Sequence, residues 1–331
     1  MALTELSIES NLLQGTIPDS LGNLVNLKVL HLGRNDFDEN AFPDFVYDLQ
    51  FLVELDLAYC QLTSFLDAAI GDLNSLVILR LHGNYINETV PVEIGNLVNL
   101  QVLRLEDNAL FGELPTEIGQ LVELVDLRVN YNLIEGNIPR QIGNLVNLER
   151  FSMGENFFNG QIPDTITQLV KLKIFTCEDN FLSGNLPANI GDMQALQVFR
   201  CFLQRFESAK QPGLQGTIPS SIGNLKNLKD LSLYQNGFNG EIPSELGDCE
   251  SLEVLDLELN SFRGVVPSEL GNLETLATLR VGGNDNLVNP LPESVCAIDT
   301  LLRYRVSCAL DCQCCTQLCG SRVEEDYGTM L

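Results

Sequence analysis

The chain has 331 residues; 45% are hydrophobic, none is Trp, and 45 Asp and Glu against 19 Lys and Arg give a formal charge of −26. So acidic a chain repels phosphate backbones and anionic lipid surfaces, which argues against nucleic acid or a membrane surface as partner. No apolar run approaches the about 18 residues that a spanning helix needs, so this segment is not expected to insert in a bilayer.

From Leu3 onward the chain repeats. Leucines recur at Leu3, Leu27, Leu52, Leu76, Leu100, Leu124, Leu148, Leu172, Leu196, Leu228, Leu252 and Leu276, mostly 24 residues apart, with a degenerate last unit at Leu301, Tyr304 and Val306. A unit this short cannot bury its own leucines, so successive units must stack into a solenoid. Each opens with a Leu-x-Leu alternation, which is a short strand with its leucines turned inward and its x residues outward. An Asn then follows: Asn11, Asn35, Asn84, Asn108, Asn132, Asn156, Asn180, Asn236, Asn260 and Asn284. Its side chain can bond the peptide groups that the turn leaves unpaired. Cys60 takes this place in the third unit and reads as a structural thiol. Eleven prolines then share one position (Pro18, Pro43, Pro91, Pro115, Pro139, Pro163, Pro187, Pro219, Pro243, Pro267 and Pro292), where a fixed φ and a missing donor suit an extended piece leading into a turn or a brief 3₁₀ helix. Narrow strands on one side and bulkier segments on the other curve the stack.

The L-x-G-x-I-P and I-G-N-L elements, as in Leu110, Gly112, Leu114-Pro115 and Ile118-Gly119, resemble the plant-type leucine-rich repeats of receptor-like kinase ectodomains, receptor-like proteins and polygalacturonase inhibitors. The resemblance covers about residues 3–300. It implies an α/β solenoid: a right-handed superhelix with a concave parallel sheet, 3₁₀ and turn segments on the convex side, a second small sheet, and a role in binding peptides, glycans or proteins. Residues 1–295 are read as the solenoid, 296–320 as a Cys-rich C-terminal cap and 321–331 as a disordered tail. The chain opens inside a repeat, with neither a paired-Cys cap nor a secretory leader. It is therefore read as part of a longer protein whose flank carries the leader or a membrane anchor.

Along the strands, the outward residue before the last leucine runs Ser7, His31, Asp56, Arg80, Arg104, Arg128, Ser152, Thr176, Arg200, Ser232, Asp256 and Arg280. Arg80, Arg104 and Arg128 in adjacent units repel one another. Either Glu106, Asp107 and Asp126 neutralise them as a ladder, or the three guanidinium forks form a stripe for carboxylate or sulfate. Tyr59, His82, Tyr131 and Tyr234 lie on adjoining outward positions and complete, with Arg200, the candidate concave site. Asn87-Glu88-Thr89 is the one sequon, a glycosylation candidate if the chain is secreted.

Cys177 and Cys201 occupy equivalent strand positions in neighbouring units; they are within reach of a disulfide but are read as packed thiols. The ninth unit is eight residues longer than the norm, since Leu196 to Leu228 spans 32. Its extra segment at 202–212 is read as replacing the ladder Asn and bringing Arg205 and Phe206 to the rim as further ligand candidates. Cys249 takes a leucine's place and reads as core. Finally Cys296, Cys308, Cys312, Cys314, Cys315 and Cys319 are read as a disulfide-stitched cap; a zinc site is the alternative, and it lacks both a nearby His and a C-x₂-C pair.

His31 and His82 are read as exposed and stand far apart, and no nucleophile, phosphate-binding or dinucleotide motif is present. No catalytic residue, cofactor or metal is expected. A ligand- or protein-recognition scaffold, extracellular or at the cell surface, is the leading expectation. The alternative is a structural or adhesive wall or matrix protein, for which the outward columns should be uniform.

Overall fold

The computed structural model describes residues 3–204, 213–288, 291–301 and, for the backbone alone, 303–305. The other five cysteines of the terminal cluster after Cys296, the candidates Arg205 and Phe206, and the tail at 321–331 lie outside these residues.

Thirteen short parallel strands, one per coil, form a single sheet in strict chain order, from Glu5–Ser7 through Val102–Arg104 and Asp126–Arg128 to Arg303–Arg305. We number the coils by these strands. The register never slips: Leu79 pairs with Leu103, Leu103 with Leu127, Leu127 with Phe151, and Phe151 with Phe175. Because side chains alternate with period two, one unslipped register keeps every central residue in the core and both of its neighbours outside. From coil 2 to coil 12 those central residues are wholly buried. In coils 7 to 9 they are Phe151, Phe175 and Phe199, stacked with ring centroids 5.6 Å apart, a spine that fixes the coil spacing there.

Each strand stops at three residues because the chain then turns through the left-handed region. The residue just before the ladder position, Asn or its stand-in Cys60, has φ of 54° at Tyr59, 58° at Asp107, 56° at Tyr131, 54° at Glu155 and 52° at Asp179, and so on through the stack. Such a conformation is costly for a side-chain-bearing residue and persists only where its surroundings over-determine it. The Asn supplies that constraint. Asn132 accepts from the Leu110 amide at 3.0 Å and donates to the Leu105 and Val129 carbonyls at 3.0 and 3.1 Å, tying its coil to the one before. Asn84, Asn156 and Asn180 repeat this bonding.

The elongated ninth coil keeps the bonding, contrary to the sequence reading. Gln204, 24 residues after Asn180, is 1% exposed; it accepts from Leu182 N at 3.0 Å and donates to the Cys177 carbonyl at 2.9 Å. Its extra methylene reaches the same groups. Cys60 stands in more weakly in coil 3, its thiol 3.6 Å from the Leu32 carbonyl, and Asn84 caps its amide instead.

The repeated prolines precede 3₁₀ helices such as Val92–Asn96 and Thr116–Gln120, as the sequence implies. Coil 3 has no proline there, and the Asp67 carboxylate instead accepts from Ala69 N at 2.8 Å to start the helix. The glycine of I-G-N-L exists for close approach: a Cβ on Gly119 would lie 2.6 Å from the Gln141 carbonyl oxygen of the next coil. Where Tyr47 and Thr167 replace this glycine, consecutive 3₁₀ helices pack most loosely. The flanking second sheet implied by the resemblance is broken into pieces of three, four and five strands.

Candidate functional site

The concave face is set by the register. Asp56, Arg80, Arg104, Arg128, Ser152, Thr176 and Arg200 are direct cross-strand neighbours in one outward row. Three arginines therefore stand side by side, and each is neutralised. Arg80 lies 3.5 Å from Asp56, Arg128 forks onto Asp126 at 2.8 and 2.9 Å, and Arg104 binds one oxygen of Glu106 closely. The Asp126 bond raises the Arg128 pKa against the desolvation that opposes it. Further along, Arg200 pairs with Asp230 at 2.7 Å and Arg280 with Asp256 at 3.1 Å. Ion pairs of the kind expected for the ladder are thus present. Of the three acids expected in it, Glu106 and Asp126 take part; Asp107 sits on the left-handed turn.

Two residues beyond the arginines lies a second row that the sequence reading did not single out. It runs His82, Glu106, Asn130, Gly154 and Glu178 in coils 4 to 8. Ladder hydrogen bonds continue into it: Gly83 N donates to Glu106 O at 3.0 Å, Asp107 N to Asn130 O at 3.0 Å, and Glu155 N to Glu178 O at 2.8 Å. His82 and Glu106 are buried, at 4% and 8% exposure. The expectation that both histidines are exposed is therefore wrong. Past the strand end the turn folds the Tyr59 ring edge-on against His82, with centroids 5.2 Å apart. Burial, helped by Arg104, pushes the His82 pKa down to about 4 against the opposing pull of Asp56, so the ring is neutral at physiological pH. His31 is half-buried, its Nε2 3.1 Å from Glu54 without hydrogen-bond alignment. Burial likewise pushes Glu178 up to about 7; Glu155 and Asp179 add to this, while a hydrogen bond to its own backbone and Arg200 oppose it. Its carboxyl folds back over Gly154, where a Cβ would come within 2.7 Å of it.

The left-handed turn residues form a third row at the end of the strands. Tyr59 and Tyr131 are 44% and 52% exposed there, and Arg34 lies over the Tyr59 ring at 5.6 Å. In the second row beyond Glu178, Phe202 of the long ninth coil and Tyr234 of the tenth stack at 4.3 Å. Asn87 lies in a flanking strand, Tyr85–Asn87, half-buried, away from these rows. Cys177 and Cys201 are joined in a disulfide between adjacent strands, Cα atoms 4.8 Å apart, rather than remaining thiols. The unslipped register brings their Sγ atoms together. Cys249 is buried as core, and Cys296 is disulfide-bonded. Among the described residues no cluster of His, Cys, Asp and Glu could hold a metal, and no helix is long and apolar enough to cross a membrane.

The family described as Leucine-rich repeat region matches residues 68–156, and that described as Leucine Rich Repeat matches 2–24, 227–249 and 251–273. Curated protein sequences yield no match. Among solved structures, the plant peptide hormone receptor RGFR1 in complex with RGF2 is 31% identical, with a TM-score of 0.86 over 93% of this chain and 48% of that one. The Arabidopsis receptor kinase HAESA ectodomain, in complex with an N-terminally extended IDA peptide hormone, is 27% identical, with a TM-score of 0.77 over 94% of this chain and 54% of that one. The LRR protein LIC12759 of Leptospira interrogans is 30% identical, with a TM-score of 0.69 over 94% of this chain and 79% of that one. The chain thus spans about half the length of the plant receptors it matches.

Proposed function

The chain belongs to the leucine-rich-repeat family, with repeats of the plant type, and from that premise we propose that it is a non-catalytic recognition module whose concave face binds an extended peptide. The observation that carries this is the unslipped register. It lines up non-repeating outward side chains in rows, with exposed Tyr59 and Tyr131 at their edge. Aromatic groups held on a rigid frame contribute contact area at little entropic cost. Two of the matched plant receptors are themselves seen with peptide hormones. A protein or glycan ligand would use the same rows. A uniform adhesive surface fits less well, because no outward row repeats one residue along its length.

The disulfide between Cys177 and Cys201 supports action outside the cell or at its surface, where such bonds persist. Residues 1–295 act as the solenoid and 296–320 as its cap, beginning at the disulfide-bonded Cys296. The test is selection of displayed random peptides on the oxidised full chain. Recovered peptides should lose binding to Tyr59→Ala and Tyr131→Ala and keep it against the convex-side variant Val122→Asp. Equal binding to all three variants would refute the concave reading.

A further inference from the structure

We propose that the row His82, Glu106, Asn130 and Glu178 is a subsite for the guanidinium or ammonium side chains of a basic peptide; this rests on the peptide-binding reading of the concave face. Each of the four residues carries a buried polar atom without a hydrogen-bond partner: His82 Nδ1, Glu106 Oε2, Asn130 Oδ1 and Glu178 Oε2. Buried polar groups in native proteins are almost always satisfied, so four exceptions in one row point to something that completes them. They are also contiguous. Gly154 leaves its place open and the Glu178 carboxyl occupies it, so coils 4 to 7 each present one such group.

What remains unspent in this row is acceptor capacity. A carboxylate only accepts, the Asn130 oxygen only accepts, and a neutral imidazole offers one accepting nitrogen. Glu106 has committed one oxygen to Arg104 and has the other to give. The nearby donors are engaged already, Arg80 by Asp56, Arg104 by Glu106 and Arg128 by Asp126. An anionic ligand would have to break these pairs and then face the carboxylates. A basic one leaves these ion pairs intact. Neighbouring coils set acceptors about 4.8 Å apart, a spacing that a guanidinium with donors on two edges can bridge. The formal charge of −26 draws such a ligand toward the protein from a distance. An aromatic contact lies beside the row: Tyr131 follows Asn130 directly and is 52% exposed.

The test is fluorescence anisotropy of the oxidised full chain with a labelled alternating Gly-Arg hexapeptide and its Gly-Glu counterpart. At about pH 9, where Glu178 is ionised, two double variants of equal charge change are compared: Glu106→Gln with Glu178→Gln, and the exposed, convex-side pair Glu123→Gln with Glu274→Gln, all checked for native circular dichroism. The proposal expects binding of the Gly-Arg probe alone, weakened about tenfold by the first pair, as the loss of charged hydrogen bonds implies, and less than about twofold by the second. Equal weakening by both pairs overturns it, since a diffuse charge field would then suffice. Preference for the Gly-Glu probe also overturns it and leaves concave peptide binding standing, as does failure of both probes while display-selected peptides still bind. Failure of both probes with no peptide recovered by display removes the two readings together.

Discussion

Replacing Asn132 by Ala tests whether one buried amide holds two coils together. Its side chain makes bonds of 3.0, 3.0 and 3.1 Å to Leu110 N, Leu105 O and Val129 O. These losses are unequal. Asn108 still donates to Leu105 O at 3.1 Å, and Asn156 still donates to Val129 O at 2.9 Å, so both carbonyls keep a partner. The Leu110 N–H keeps none, and an orphaned buried donor costs about 1–3 kcal/mol. Adding about 0.5 kcal/mol for each weakened carbonyl gives a destabilisation of about 3 kcal/mol. Asn132→Asp should cost at least as much, because its carboxylate faces carbonyl oxygens. The internal control is Asn11→Ala: that amide is exposed and bonds only Ile8 O and Glu9 O, within its own coil, so about 0.5 kcal/mol is expected. Urea unfolding followed by circular dichroism measures both, and hydrogen exchange reads the Leu110 amide itself. Equal costs for the two alanine variants, or undiminished protection of Leu110, would refute the reasoning.

Four further outcomes follow from the same geometry. Glu178 has its pKa raised from 4.5 to about 7, so the folded state holds its proton longer than the unfolded chain and stability falls as pH rises across that window. Relative to wild type, Glu178→Gln should gain up to about 3 kcal/mol between the two ends of the window. His82 works in the opposite sense. Its pKa is lowered from 6.5 to about 4, stability is lost as pH falls through that range, and His82→Gln should remove this loss, as urea midpoints against pH will show. Gly119→Ala should destabilise by about 1–3 kcal/mol, read as a lower Tm, because its Cβ meets the Gln141 carbonyl; Thr167→Ala, at the equivalent position, should be nearly neutral. Reducing the Cys177–Cys201 disulfide should cost about 3 kcal/mol, the loop-closure value for a separation of 24 residues, and hydrogen exchange should rise chiefly in coils 8 and 9.

The frame was legible because its rules are local and repeated. Leucine, asparagine and proline recur at one spacing, and each has one physical task. The alignment of Arg80, Arg104 and Arg128 followed from period-two alternation and an unslipped register. Gln204 escapes the pattern although it stands 24 residues after Asn180, because the pattern is written in one residue type while the fold needs only an amide at that place. The Cys177–Cys201 disulfide was within the geometry of the strands but against the usual fate of core thiols. His82 was misread because alternation says only which way a side chain leaves the strand; the Tyr59 ring that covers it arrives from the preceding coil. The acceptor row was hidden for a similar reason. It depends on a glycine at 154 yielding its space to a carboxyl one coil away, a relation between coils that no single repeat displays.

The disulfide has a mechanical consequence. Cys177 and Cys201 are separated by one full repeat, so the bond closes a single turn of the solenoid into a ring. Pulled from its two ends, an oxidised molecule would withhold about 80 Å of contour length, the reach of some two dozen residues at full extension. In optical tweezers, adding a reductant would release that length in one increment and turn a rigid link near the middle of the chain into slack.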